Sequence, residues 1–330
     1  RPPRSTLFPY TTLFRSIMTD SLEIFKQNGE YTDCPWGFVN QNAYISVVAT
    51  NACQCNCAYC INSATDRNKH LPIDKAIRNI SKLIDRIPDN PEVIILGGEP
   101  TLHPEIITLI KRLKAIDTNC NSLGKVRITT NGIRLRNRFF LSDLLKSGID
   151  GINISWHNDK EFMPLDVLKD IVKTVHHERP DCKVRINTNV WSGNHDTTDS
   201  LVSLVNSLDF ADSIRISNII PKDSFSVNSE NFGQGMILTD EEYMVLFSDF
   251  IERFSNNYAI FENPNTLGFV RYFLIPRRCP IIVNWNIGST VSEQVCENEI
   301  WKRKINTFKC LVSGDISLSW NTNNIIKTEP

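Results

Sequence analysis

Four of the chain's ten cysteines, Cys53, Cys55, Cys57 and Cys60, fall together in the segment NACQCNCAYC. Metal sites cluster their thiols, whereas disulfide frameworks spread them along the chain to close loops. Cys53, Cys57 and Cys60 have the spacing C-x3-C-x2-C. A short loop of that kind wraps three thiolates around three corners of a four-iron, four-sulfur cluster. Three thiolates do not saturate four irons. The last iron stays open to a small molecule that brings its own amino and carboxylate groups, as catalytic metal sites keep a position that structural sites close. Cys55 is then a spare thiol inside the loop. The other reading is structural zinc with Cys55 as the fourth ligand, although zinc more often takes two separated C-x2-C pairs.

The loop needs a scaffold, and the pattern around it supplies one. Strands are expected at Tyr44–Ala49, Val93–Leu96, Val126–Thr130, Gly151–Trp156, Val184–Val190 and Ser213–Ile220. Their β-branched, nearly continuous apolar centres suit strands covered on both faces. Amphipathic helices fall between them. The clearest carries Ile73, Ile77, Ile80, Ile84 and Ile87 on one stripe, opened by Pro72 and stopped by Pro88. A second, from Pro104, carries Ile106, Ile110, Leu113 and Ile116. Others are expected at Arg138–Lys146, Pro164–His177 and Thr197–Leu208. Such alternation implies parallel strands with right-handed crossovers, in an α/β barrel or an open doubly wound sheet. In either case the chemistry belongs at the C-terminal ends of the strands, and the cysteine loop directly follows the first.

With 330 residues, 41% hydrophobic and 22% charged, the chain has the composition of a globular protein with a full-sized core. A net charge of -1 provides no bulk attraction to nucleic acid or to a membrane surface. No apolar run is long enough for a bilayer, and the N-terminus has no export-signal pattern, so a reducing, cytoplasmic setting is expected. Residues Leu7 to Ser16, LFPYTTLFRS, read as the translation of a common sequencing adapter. Residues 1–17 are therefore expected to be an artefact or disordered, with the natural protein starting near Met18 and a lead-in over 18–42.

With its aromatic Tyr59 before the third cysteine, the Cys53–Cys57–Cys60 loop resembles the signature loop of the radical S-adenosylmethionine (SAM) superfamily. Further motifs follow in that superfamily's order. Gly97-Gly98-Glu99-Pro100 resembles its GGE motif, and Thr129-Thr130-Asn131-Gly132 its TNG segment. Ser155 in INISWH and Asn187 in VRINTNV stand where relatives contact SAM and its ribose. The resemblance covers about 43–220 and implies a partial (β/α)6 TIM-like barrel of parallel strands. It also implies a four-iron, four-sulfur cluster on Cys53, Cys57 and Cys60. SAM would lie against Tyr59, Gly97, Gly98, Glu99, Thr130, Ser155 and Asn187. The implied activity is reductive SAM cleavage, giving a 5'-deoxyadenosyl radical that takes hydrogen from a substrate. The electron donor would be a flavodoxin or ferredoxin. No residue is singled out as the partner in hydrogen abstraction.

After Ile220 the rhythm breaks, and residues 221–330 are expected to form a small α+β extension lidding the open side. It would hold a helix, Thr239–Phe254, and a hairpin, Ile305–Val312 with Ile316–Trp320, around Ser313-Gly314-Asp315. Cys279, Cys296 and Cys310 are candidate ligands of an auxiliary cluster, as in relatives with SPASM or twitch extensions. Those usually supply four or more cysteines, and here Trp320 stands where one is expected. The weak likeness makes a peptide the leading substrate class. RNA or nucleotide modification is one alternative, although the basic runs Arg134, Arg136, Arg138 and Lys302–Lys304 read better as solvated faces than as a phosphate track at a net charge of -1. A non-catalytic zinc or iron–sulfur binding module is another.

Overall fold

A computed structural model describes residues 31–34, 37–57, 59–60, 66–87, 90–118, 121–157, 163–219, 237–254, 258–263, 270–276, 282–287, 294–297, 300–318 and 325–326. A short strand β1 (Tyr31–Cys34) pairs antiparallel with β2 (Gly37–Thr50). The core then alternates: α1 (Ile73–Ile84), β3 (Glu92–Gly97), α2 (Ile106–Lys114), β4 (Val126–Thr130), α3 (Arg138–Lys146) and β5 (Gly151–Ser155). It continues through α4 (Leu165–Glu178), β6 (Lys183–Val190), α5 (Thr198–Ser207) and β7 (Ser213–Asn218). Strands β2 to β7 lie side by side in chain order, each parallel to the next. This is the expected α/β architecture. Among the described residues the sheet does not close on itself.

The expectation of strands covered on both faces holds for β5, where Gly151 to Ile154 are all buried, and for Ile45 to Thr50 of β2, and is corrected for the other core strands. In β6, Val184, Ile186, Thr188 and Val190 are buried, while Arg185, Asn187 and Asn189 between them are only half-buried. In β4, Val126, Ile128 and Thr130 alternate in the same way with Arg127 and Thr129. One face packs against helices and the other borders an open interior, so period two reappears. The apolar helix stripes complete the packed side. Ile73, Ala76, Ile80, Leu83 and Ile84 of α1 and Ile106, Leu109, Ile110 and Leu113 of α2 are buried.

The C-terminal third continues the sheet at both edges. Helix α6 (Asp240–Phe254) opens with a capping box, in which the Thr239 N–H donates to Glu242 at 2.7 Å and the Glu242 N–H to the Thr239 hydroxyl at 3.2 Å. Then come β8 (Tyr258–Asn263), β9 (Val270–Pro276), β10 (Ile282–Ile287), β11 (Gln294–Glu297), β12 (Ile300–Cys310), β13 (Ile316–Ser317) and β14 (Ile325–Ile326). Strand β10 joins β7 in parallel, and β12 joins β2 in parallel. The expected hairpin is present, with β12 antiparallel to β13 and Cys310 opposite Ile316, although Trp320 lies outside the described residues. Its turn docks on α1 through Lys75–Asp315 at 2.7 Å and Asn79 Nδ2 donating to the Gly314 carbonyl at 2.8 Å. No helix among the described residues is long and apolar enough to cross a membrane.

Candidate active site

The cysteine loop leaves β2 at its C-terminal end and is clamped at its stem. Thr50 and His70 form an antiparallel bridge, with Asn51 N donating to Lys69 O at 3.0 Å and Leu71 N to Ala49 O at 2.9 Å. The buried Thr50 hydroxyl donates to Lys69 O at 3.0 Å and accepts from Ala52 N at 3.0 Å. None of Cys53, Cys55, Cys57 and Cys60 is in a disulfide, and each is half-buried.

Gly97 and Gly98 press against that stem. Gly97 has φ +145°, and a Cβ there would lie 2.3 Å from Thr50 O; one on Gly98 would lie 2.4 Å from Ala52 O. Gly98 N donates to Thr50 O and Glu99 N to Ala52 O, both at 2.7 Å. The sequence suggested that the glycines admit a ligand. What they visibly admit is the backbone at the root of the cysteine loop.

Glu99 is 1% exposed, not solvent-facing. Its Oε1 accepts from Thr101 N at 3.1 Å, from the Thr101 hydroxyl at 2.6 Å and from the Thr130 hydroxyl at 2.6 Å; its Oε2 accepts from Asn131 N at 2.7 Å. Burial pushes its pKa up, and these hydrogen bonds pull the other way. The Thr130 hydroxyl also accepts from Gly132 N at 3.0 Å, so that both its roles serve the scaffold.

One cavity of about 1150 Å³ receives the cysteine loop, Gly97 to Glu99, Thr130, Ser155 and Asn187. Every predicted site residue lines it. Ser155 and Asn187 stand opposite one another on β5 and β6. Asn187 Oδ1 is buried there without a hydrogen-bond partner, an arrangement that a ligand donor would satisfy. The hairpin turn contributes Leu311, Val312 and Ser313 to the wall.

Burial pushes the Cys53 thiol above its usual pKa, opposed by a hydrogen bond from Cys55 N. Cys55 is pushed up to about 12 by burial and by Cys53 and Cys57. Such thiols ionise when a metal takes up the charge. Among the described residues, no three His, Cys, Asp or Glu side chains converge on a point able to hold one metal ion. A cluster spreads its ligands over separate irons and asks less convergence of them. The unbridged thiols, the glycine-backed loop stem and the unpartnered Asn187 oxygen fit a cluster with a small polar ligand beside it.

His157 and Trp191 were not singled out as site residues from the sequence. Both line or border the mouth beside Tyr59, whose ring lies 5.4 Å edge-on from His157 and 5.2 Å from Trp191. His157 Nδ1 accepts from Asn189 N at 2.9 Å, and burial lowers the His157 pKa to about 4. Of the proposed auxiliary-cluster set, Cys279 and the Cys296 side chain lie outside the described residues. Cys310 is fully buried on β12, with burial pushing its thiol up to about 12. Two of the basic-run residues are engaged within the chain: Arg134 stacks on Phe140 at 4.2 Å, and Arg138 bonds Asp170 and Thr174.

Parallel strands carrying a thiol-rich loop and one deep cavity at their C-terminal ends define an α/β barrel-type enzyme core. Residues 47–180 match the sequence model of the radical SAM superfamily. The chain is 29% identical over 196 residues to a GTP 3',8-cyclase of Chlorobaculum tepidum, covering 56% of this chain and 56% of that protein. It is 30% identical over 170 residues to a 7,8-dihydro-6-hydroxymethylpterin dimethyltransferase of Methanocaldococcus jannaschii, covering 45% of this chain and 33% of that one. The chain thus spans about half or less of the length of these relatives. In fold it is similar to Streptococcus suis SuiB bound to S-adenosylmethionine, with a TM-score of 0.57 at 16% identity, covering 94% of this chain and 66% of that one.

Proposed function

We propose that Cys53, Cys57 and Cys60 hold a four-iron, four-sulfur cluster and that SAM binds beside it, along Tyr59, Gly97 to Glu99, Thr130, Ser155 and Asn187. The observation that carries this reading is their convergence on one cavity, with the thiols of the loop at one side and the unpartnered Asn187 oxygen at the other. When bound, that pair supplies reductive cleavage of SAM to methionine and a 5'-deoxyadenosyl radical, which takes hydrogen from the substrate. The chain's own part is to position and enclose. The Thr50–His70 bridge and the two glycines fix the loop's root, Asn187 offers an acceptor to a ligand hydroxyl, and the apolar lining limits water. A flavodoxin or ferredoxin is the electron source in this reading.

The cavity is larger than the few hundred to about a thousand Å³ of a typical small-ligand site. That leaves room for a substrate beside SAM. A peptide suits the wide mouth walled by the C-terminal hairpin. A nucleotide is favoured by a different observation, the sequence similarity to GTP 3',8-cyclase.

Anaerobic iron–sulfide reconstitution tests the cofactor reading. The expected product is brown, holds about four irons and yields 5'-deoxyadenosine when reduced with SAM. A colourless protein that binds one zinc overturns it. Added GTP that is consumed with 5'-deoxyadenosine formation selects the nucleotide reading, and GTP left intact removes it.

A further inference from the structure

We infer that Trp191 and His157 form an aromatic latch that holds the cysteine loop through Tyr59, making both of them positioning residues for its thiols. Tyr59 lies between Cys57 and Cys60, so fixing its ring fixes the backbone that aims two of the loop's sulfurs. That ring meets His157 edge-on at 5.4 Å and Trp191 at 5.2 Å, and the latter two lie 6.1 Å apart. The three therefore form one triangle of rings, at the separations where edge and tilted contacts are attractive.

The two partners are themselves tied down. His157 directly follows Trp156, whose N–H donates to Asn187 O at 2.8 Å. Asn189 N holds His157 Nδ1 at 2.9 Å, which leaves Nε2 to carry the proton of the neutral ring. Trp191 and Asn194 close a tight turn after β6 by exchanging backbone hydrogen bonds of 3.2 and 2.8 Å. Asn194 Nδ2 then donates to His157 O at 3.2 Å. The ends of β5 and β6 thus present two braced rings to a third that belongs to the loop. The loop's other links across the cavity are weaker, such as Gln54 Nε2 to Asn131 at 3.4 Å and Asn131 Nδ2 to Cys55 Sγ at 3.5 Å. The rings add an anchor on the Cys57–Cys60 side.

The latch concerns the loop whose thiols the proposed cluster would use, and the test separates the two ideas. In the full chain after anaerobic reconstitution, iron loss to a chelator is followed for Tyr59→Leu, Trp191→Leu, their double variant and the Phe variants at both positions. Each Leu variant is expected to lose iron roughly three- to tenfold faster, the factor that one or two aromatic contacts are worth. The double variant should be no faster than Tyr59→Leu alone, because that change already removes the contact Trp191 makes to the loop's ring. Phe should restore the wild-type rate, with the melting temperature unchanged throughout. If wild type takes up no iron, the cofactor reading fails. The latch is then decided by iodoacetamide labelling of the full chain, mapped by mass: Cys57 and Cys60 label faster in Trp191→Leu and normally in Trp191→Phe, with buried Cys182 as the internal control. Additive effects, absence of Phe rescue or unchanged rates in Trp191→Leu overturn it.

Discussion

Glu99 and Asn131 are joined by a 2.7 Å hydrogen bond from the Asn131 backbone N–H to Glu99 Oε2, which ties the end of β3 to the end of β4. With the Thr101 and Thr130 contacts, the carboxylate acts as a strut between two loops that border the cavity. Removing it leaves buried donors unmet, at about 1–3 kcal/mol each. Glu99→Ala should lower the melting temperature by several degrees or more, at a few degrees per kcal/mol for a chain this long. Glu99→Gln should cost less, because its carbonyl still serves one set of donors. Thermal unfolding by circular dichroism checks this. Equal melting temperatures for wild type and Glu99→Ala would show that the strut carries no stability.

Gly98→Ala should be worse than an ordinary surface change, because its Cβ would lie 2.4 Å from Ala52 O and 2.6 Å from Asn51 O. Both obstacles are backbone, so relief requires moving the root of the cysteine loop. Overpacking of this kind costs typically 1–3 kcal/mol. Iron uptake is the sharper readout, since displacement of Ala52 is passed on to Cys53. The variant is expected to retain secondary structure and to bind less iron. Wild-type iron content would mean that the stem tolerates the shift.

Much of this was legible in local sequence. Strand β4 and helix α3 lie where periodicity and turn residues placed them, and β3, β5, β6 and β7 differ only by a residue or two at their ends. The cavity set was legible because Gly97, Glu99, Thr130, Ser155 and Asn187 all stand at or near C-terminal strand ends, where a parallel sheet gathers its loops. The parallel pairing of β12 with β2 was not, since it joins Lys309 to Ser46 across the whole chain and leaves no local trace. Trp191 was missed for a related reason. Its meaning comes from a ring on another loop, and the fragment VWSG alone reads only as a strand end and turn. The strut role of Glu99 was not legible either, because a buried carboxylate looks like any other glutamate until its donors are known.

Cys55 gives a test that separates the thiols of the loop. It lines the same cavity, but its sulfur lies 3.5 Å from Asn131 Nδ2 and it falls outside the C-x3-C-x2-C spacing. After reconstitution, Cys55→Ser is expected to keep about four irons and the brown colour. Cys57→Ala is expected to lose both. A Cys55→Ser protein that holds no iron would place Cys55 among the ligands and reopen the zinc-like arrangement of four thiols.

His157 makes a prediction about acid. Burial, with His195 adding a like charge, holds its pKa at about 4 against an ordinary 6.5. The folded protein therefore keeps the ring neutral where the unfolded chain has begun to take up a proton. Between pH 6.5 and 4 the unfolded state binds more protons at this position, so stability falls as the pH falls through that window. Above 6.5 the ring is neutral in both states, and below 4 it is charged in both, so its pH dependence vanishes on either side. Carboxylates titrate nearby, and the measurement must be a difference: melting temperature against pH for wild type and for His157→Asn, whose side-chain oxygen still offers Asn189 N an acceptor. The wild-type curve should drop more steeply than the variant's from pH 6.5 to 4, and the two should run parallel above 7. Parallel curves over the whole range would mean that His157 is protonated in the folded protein at mild acidity, and that the ring beside Tyr59 carries a charge there.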